Sequence, residues 1–316
     1  MAPGAHGKKA VVAALFANLG IAVAKLVGFA ITRSSAMLAE SLHSLADSGN
    51  QGLLLYGSAA GNRRPTDEHP FGYGRARYFW AFVVALVLFS LGSLFSLYEG
   101  YQKLRDPHEL TMPAVAVGIL LAAILLELGS MRVAVKEAQR VKRRGESWWT
   151  FVRHSKSAEL PVVLLEDLGA LVGLVLALIG VGLTAVTHDP VYDALGTMAI
   201  GVLLGVIAVI LAVEMQSLLI GEAASPDQVA LIRACIASTS GIDQVIHLRT
   251  VHLSPEEIVV AAKVAVSPGV SMERVSDAID RAEVAIREAV PEATLIFIEP
   301  DTLHENSSST VPDFPM

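Results

Sequence analysis

Long apolar stretches alternate with short polar ones through the first two thirds of the chain. Six of them, at roughly 11–31, 36–60, 79–103, 112–134, 158–184 and 190–217, run for 20 residues or more. A helix crosses a bilayer with about 20 mostly apolar residues. The pattern therefore predicts a membrane bundle of six spanning helices, the one common home for so many such stretches. Between the first two lies only Thr32-Arg33-Ser34-Ser35, read as a hairpin turn. The loop 61–78 is rich in Gly, Pro and charge, and the loop 135–157 holds Lys142-Arg143-Arg144.

After Gly221 the period changes. Pro226 to Ala237 reads as a helix with Ser225 as its N-cap. Gln244 to Leu253 and Ile258 to Val266 read as strands, with Ser254-Pro255-Glu256-Glu257 as their turn. Ser271 opens a second helix that runs to about Ala289, and Thr294 to Ile298 reads as a last strand. The order αββαβ predicts a small α+β domain with helices on one face of a sheet. The expected division is a transmembrane domain over 1–221, a second domain over 222–303 and a disordered tail over 304–316.

Charge sharpens that division. From Glu222 onward there are 15 acidic and 6 basic residues, a charge of −9, whereas the rest carries 16 acidic and 18 basic residues, or +2. Lys and Arg are also uneven among the loops, with fourteen on one side of the expected bundle and three on the other. Short loops rich in Lys and Arg stay in the cytoplasm, which places both termini there, in a cell membrane. Only 17 % of residues are charged, below the 25 % or so of soluble domains. Cys235 is the only cysteine, which excludes an intrachain disulfide and Cys-cluster metal sites. No cleavable leader is evident before the first apolar stretch, which is read as a retained span. No phosphate-binding loop points to ATP hydrolysis, and neither an enzyme activity nor a nucleic-acid partner is expected.

Ionisable residues inside spans are costly and mark functional sites. The second stretch holds Glu40, His43 and Asp47; the fourth holds Glu127; the fifth holds Glu166 and Asp167. His43 and Asp47 are four apart and share a helix face, which Asn50 extends by a turn. Asp47 lies ~16 Å along its span from the outer end and Asp167 ~13 Å from the inner end of its own, at 1.5 Å per residue. In a core about 30 Å thick both fall near the middle. One imidazole and two carboxylates make a mixed nitrogen and oxygen donor set, which suits zinc. Magnesium and calcium prefer oxygen alone, while iron, cobalt, nickel and manganese remain open. The bland reading makes His43 a packing residue and pairs the acids with Lys25. Glu40 is read as interfacial, and Glu127 as either a proton site or a packing contact. In the loop, His69-Pro70-Phe71-Gly72-Tyr73-Gly74-Arg75-Ala76-Arg77 reads as an ordered turn whose arginines anchor at lipid headgroups.

The pairing of Ala39-Glu40-Ser41-Leu42-His43-Ser44-Leu45-Ala46-Asp47 with His69-Pro70-Phe71-Gly72-Tyr73-Gly74 resembles the cation diffusion facilitators, over residues 8–303. Asn50-Gln51, Pro65-Thr66-Asp67-Glu68-His69, Leu164-Leu165-Glu166-Asp167 and Asp189-Pro190-Val191-Tyr192-Asp193 resemble the zinc transporter nine branch of that family. The resemblance implies a homodimer in the lipid bilayer, six helices per protomer, and a metallochaperone-like (ferredoxin-like) cytoplasmic domain. It implies metal/proton antiport with Zn2+ as the transported substrate, other divalent metals remaining open. His43, Asp47 and Asp167 match the family's metal ligands. The family's second ligand in the fifth span falls on Val163, which has no donor atom; Glu166, Asn50, Glu127 or a water then completes the set. Glu166, Asn50 and Glu127 are thus further candidates for the metal or for protons. The family's second loop histidine falls on Tyr73, which weakens a loop metal site on His69. His247 and His252 are five apart on a presumed strand and point to opposite faces. His252 and His304 are read as surface residues before they are read as ligands. A membrane metal sensor and a carrier of small organic cations are the competing classes; the second would want an aromatic-lined pocket, and aromatics are 6 % of the chain.

Overall fold

The computed structural model describes residues 35–87, 92–107, 113–142, 145–157 and 159–302, with part of 11–30. The side chains of 35–44, 46, 113 and 154 lie outside what is described. So do residues 32–34 of the expected turn, Lys25, Arg143-Arg144, His304 and the tail, while Ser35 already belongs to a helix. The chain divides into two compact units, Met1–Leu219 and Ile220–Met316.

The first unit is helical. The described positions between 11 and 30 are in helix, followed by Ser35–Gly61, Ala76–Val87, Leu94–Arg105, Pro113–Val141, Trp148–His154, Glu159–Thr187 and Val191–Ile220. Among the described residues, three helices are long and apolar enough to cross a membrane: Ala114–Val141, Glu159–Thr187 and Val191–Ile220. Ser35–Gly61 has 27 residues, but its apolar content is diluted by Glu40, His43, Asp47, Asn50 and Gln51. The stretch expected at 79–103 is described as two helices, Ala76–Val87 and Leu94–Arg105. Pro113–Val141 outruns its expected end at 134 because Lys136, Glu137, Ala138 and Gln139 are good helix formers whatever their polarity.

Two helix pairs organise this unit. Pro113–Val141 packs along Glu159–Thr187, and Ser35–Gly61 packs along Ala76–Val87. The pairs meet more sparingly, where Ala76–Val87 touches Glu159–Thr187. A shared apolar core includes Leu54, Tyr78, Ala134, Leu160, Val163 and Leu211. Glu159–Thr187 and Val191–Ile220 approach so closely that a Cβ at Gly180 would stand 3.0 Å from the Tyr192 carbonyl oxygen. Further along, Ser93 Oγ donates to the Gly201 carbonyl at 2.7 Å. Large apolar side chains such as Leu125, Val186 and Val202 face outward at 71 %, 80 % and 58 % exposure, as lipid-facing helices require.

Inside the loop expected at 135–157 stands a seven-residue helix, Trp148–His154. Ser147 caps it by accepting from the Thr150 amide at 3.0 Å. Trp148 and Trp149 are exposed, with Lys142 over the first ring at 5.4 Å and Arg153 over the second at 6.0 Å. Arg153 also pairs with Glu214 at 3.1 Å.

The second unit has the order αββαβ. Pro226–Ala237 begins with the expected Ser225 cap, completed by Gln228 into a capping box. β1 (Gln244–Ser254) turns into β2 (Glu257–Ala265), to which it is antiparallel. Helix Met272–Ala289 carries the chain to β3 (Leu295–Asp301), parallel to β2. Ser271 precedes that helix but makes no side-chain cap bond. Alternate strand residues Ile258, Val260, Ala262 and Val264 join Ile232, Ile236, Ala278, Ala282 and Ile286 in the core.

His252 departs from its surface reading. It pairs with Ile258 on the helix-facing side and is 2 % exposed, with Nδ1 3.1 Å from the Ser254 carbonyl oxygen. His247 pairs with Lys263, and its side chain is half-buried on the opposite face, as period two requires.

Candidate metal site

Helix Glu159–Thr187 presents two consecutive acids, and they turn to different neighbours. Successive helix positions differ by about 100° around the axis. Glu166 reaches Ser35–Gly61, where Asn50 Nδ2 donates to its Oε1 at 3.2 Å and Gln51 Nε2 donates to its Oε2 at 2.9 Å. Asp167 turns toward Pro113–Val141 and accepts from Ser130 Oγ at 3.1 Å. Both acids are buried, at 8 % and 2 % exposure. Asp47 is half-buried, and its carboxylate interacts electrostatically with both. Glu127 is buried three residues before Ser130 on the same helix.

Burial of so many polar groups is tolerated because they bond to one another. Asn50 and Gln51 are 3 % and 0 % exposed, and Ser130 is 8 % exposed. Both amides turn their nitrogens to Glu166, whose two oxygens accept. The Asn50 Oδ1 and Gln51 Oε1 atoms are left buried with no hydrogen-bond partner among the described residues.

The sequence-predicted residues thus separate. Asp47, Asn50, Glu166 and Asp167 share one polar region, while the side chain of His43 lies outside the described residues, as does that of Glu40. Val163 is fully buried among Leu160, Val162 and Leu164. Among the described residues, no three His, Cys, Asp or Glu side chains stand close enough to hold one metal ion. Gln51 and Ser130 were missed as chemistry-bearing residues. Gln51 is four residues past Asp47 and continues the His43–Asp47 stripe, which is the signal that could have found it.

The loop is ordered by its own contacts. His69 and Tyr73 stack with ring centroids 4.5 Å apart, and Thr66 Oγ1 lies 3.2 Å from the Tyr73 hydroxyl. Gly72 adopts φ 77°, a left-handed conformation suited to glycine, and its amide donates to the His69 carbonyl at 2.9 Å. Arg77 does not reach outward to headgroups: it is 7 % exposed and donates to Asn62 Oδ1 at 2.6 Å.

The cation efflux transmembrane domain matches residues 11–220, and the cytoplasmic domain of cation efflux proteins matches 224–301. The chain belongs to the cation diffusion facilitator family. This is a family of membrane transporters, not of enzymes. The proton-coupled zinc antiporter SLC30A9, mitochondrial, of Xenopus laevis is 34 % identical over 219 residues, covering 69 % of this chain and 39 % of the relative. Its Homo sapiens counterpart is 34 % identical over 206 residues, covering 65 % and 36 %. Metal tolerance protein C4 of Arabidopsis thaliana is 28 % identical over 254 residues, covering 79 % and 55 %. The chain therefore spans about two fifths of the length of the zinc antiporters it matches.

Proposed function

We propose that this chain is a six-span carrier that exports a divalent metal ion, zinc first, in exchange for protons. In this reading residues 1–221 form the transmembrane domain, 222–303 the cytoplasmic domain and 304–316 a loose tail. Two copies associate in the cell membrane, with both termini in the cytoplasm on the Lys/Arg-rich side. The relatives named above as mitochondrial make an organelle membrane the other outcome of a localisation experiment.

The observation that carries the proposal is the buried polar region between the helices. Membrane-embedded carboxylates at Glu166 and Asp167, in electrostatic contact with Asp47, have few uses other than a cation or proton path. His43, Asp47 and Asp167 are the proposed primary ligands, with Glu166, Asn50 and Glu127 as further donors or proton sites. Like charges hold the acids apart, so gathering them on one ion belongs to the loading step. Metal loads from the cytoplasm onto neutral His43 and ionised acids. Ligands must shed protons to bind metal. After the site turns outward, protonation of His43 and one acid weakens the metal and releases it. Imidazole suits this exchange because it titrates near neutrality.

Zinc flux into proteoliposomes with an imposed pH gradient tests this reading. Gradient-driven flux that Asp47→Ala and Asp167→Ala both abolish, in protein that still folds and dimerises, is the expected result. No wild-type flux for zinc, manganese, iron or cobalt would overturn it. A membrane metal sensor is the second reading, favoured by the apolar Val163 at a ligand position; a sensor binds metal without moving it.

A further inference from the structure

The short helix Trp148–His154 lies in the connection between two apolar helices long enough to cross a bilayer, Ala114–Val141 and Glu159–Thr187. Only residues 142–147 and 155–158 separate it from them, which keeps it near the ends of both. Trp148, Phe151 and Val152 stand at i, i+3 and i+4 and so share a side of the helix. Phe151 and Val152 are buried in the same apolar core as Ala134, Ala138 and Leu160. Trp148 meets Phe151 edge to face with centroids 6.2 Å apart, yet it is 43 % exposed, and Trp149 is 55 % exposed. One side of the helix is thus held by the bundle, while two of the chain's three tryptophans remain open to the surroundings. Each of the two rings has a cation near its face, Lys142 at 5.4 Å and Arg153 at 6.0 Å. Residues 132–156 contain eight basic and two acidic residues, a charge of +6 in a chain whose net charge is −7. Glu137 and Glu214 pair with Arg140 and Arg153, but about half of each arginine side chain is still exposed.

We propose that the Trp148–His154 segment is a lipid-binding surface for anionic phospholipid headgroups, with the tryptophans entering the interface and Lys142 and Arg153 holding the phosphates. An indole ring is apolar with one polar edge, and it settles at the level of the headgroups. Lys and Arg stems lie along apolar surface while their charges reach the headgroup layer. Exposed aromatics mark an interaction site, and at the ends of spanning helices the neighbouring surface is lipid. The charge of the segment selects the anionic headgroup over the zwitterionic one. Each Lys or Arg at the surface corresponds to about fivefold in binding to an anionic leaflet. The helix also joins the two members of the closely packed pair Pro113–Val141 and Glu159–Thr187, so lipid held there grips that pair at one end. The inference does not depend on which ion is transported and needs only a bilayer around the helical unit.

The full chain carrying Trp80→Phe, reconstituted in phosphatidylcholine vesicles, tests this, because Trp148 and Trp149 are then its only tryptophans. Phosphatidylglycerol brominated in its acyl chains is added as a minor component and compared with brominated phosphatidylcholine at the same fraction. Both lipids are expected to quench the tryptophan fluorescence, phosphatidylglycerol with a preference of roughly 5–25-fold, as one or two cations at the surface would give. Lys142→Gln leaves the Arg153–Glu214 pair in place and is expected to lower that preference by about fivefold. Lys142→Arg keeps the charge and is expected to retain it. Should Trp80→Phe not fold, the difference between the wild type and a Trp148→Phe, Trp149→Phe double variant isolates the same signal. Quenching by acrylamide from the water, with none by either brominated lipid, would overturn the inference and point to a protein partner or a second copy. Equal quenching by the two lipids would overturn it as well, leaving an anchor with no headgroup preference. A preference unchanged in Lys142→Gln would overturn the role given to Lys142 and with it the proposed surface.

Discussion

Ser130 offers a sharp test of how Asp167 is held. Its hydroxyl donates to Asp167 Oδ2 at 3.1 Å, and both side chains are buried. Ser130→Ala removes one oxygen atom, so the change in packing is small and the lost hydrogen bond dominates. A hydrogen bond to a charged group is worth about 1.5–3 kcal/mol. Each 1.4 kcal/mol or so is a factor of ten in affinity, so losing it corresponds to roughly 10–100-fold. If Ser130 aims Asp167 at the ion, that loss falls on metal binding. The expected result in proteoliposomes is a KM for zinc raised by roughly 10–100-fold, with maximal flux much less affected. Ser130→Thr keeps the hydroxyl and is expected to retain most of the wild-type KM. Gel filtration and melting curves check the fold. A well-folded Ser130→Ala protein whose KM stays within about threefold of wild type would refute the positioning argument.

Two further predictions concern the second unit. Ile286 is fully buried between its helix and the sheet, so Ile286→Ala is expected to cost about 2–5 kcal/mol, read by urea unfolding of that unit. The bonds of Lys263 to Asp301 at 2.9 Å and Glu299 at 3.2 Å outweigh its partial desolvation and raise its pKa above the ordinary 10.5. A raised folded-state value means the contribution is complete below the unfolded lysine value and is lost as pH climbs through the folded one. Stability is therefore expected to fall above about pH 10.5, and Lys263→Met is expected to flatten that part of the profile; equal alkaline slopes in the two proteins would count against it.

Local signals were the legible ones. Ser225 ahead of Pro226 announced a capped helix, because capping is decided within one turn, and the capping box is there. The β-branched run from Ile258 announced a strand, but with Lys263 its one polar residue it did not mark which face is buried; packing against the helices sets Ile258, Val260, Ala262 and Val264 inward. His252 misled because a histidine on a strand carries no mark of whether its face meets helices or solvent; its pairing with Ile258 decides that. The short helix Trp148–His154 escaped because seven residues are too few to show a 3.6-residue period. At the candidate site, the spacing of His43 and Asp47 could be read, but the bonds from Asn50 and Gln51 to Glu166 span more than a hundred residues and follow from helix packing alone. Arg77 likewise looked like a surface anchor until Asn62 claimed it.

The two consecutive acids have a mechanical meaning. Asp167 is tied to Ser130 within the tightly packed pair of Pro113–Val141 and Glu159–Thr187, so it travels with that pair. Glu166, its neighbour in the chain, is tied to the other pair through Asn50 and Gln51. The two acids sit side by side on one continuous helix, yet one bonds within its own helix pair and the other across to the second pair. Were the proposed alternating access to rock one pair against the other, the Asp167–Ser130 contact would stay whole while the bonds from Asn50 and Gln51 to Glu166 would carry the strain.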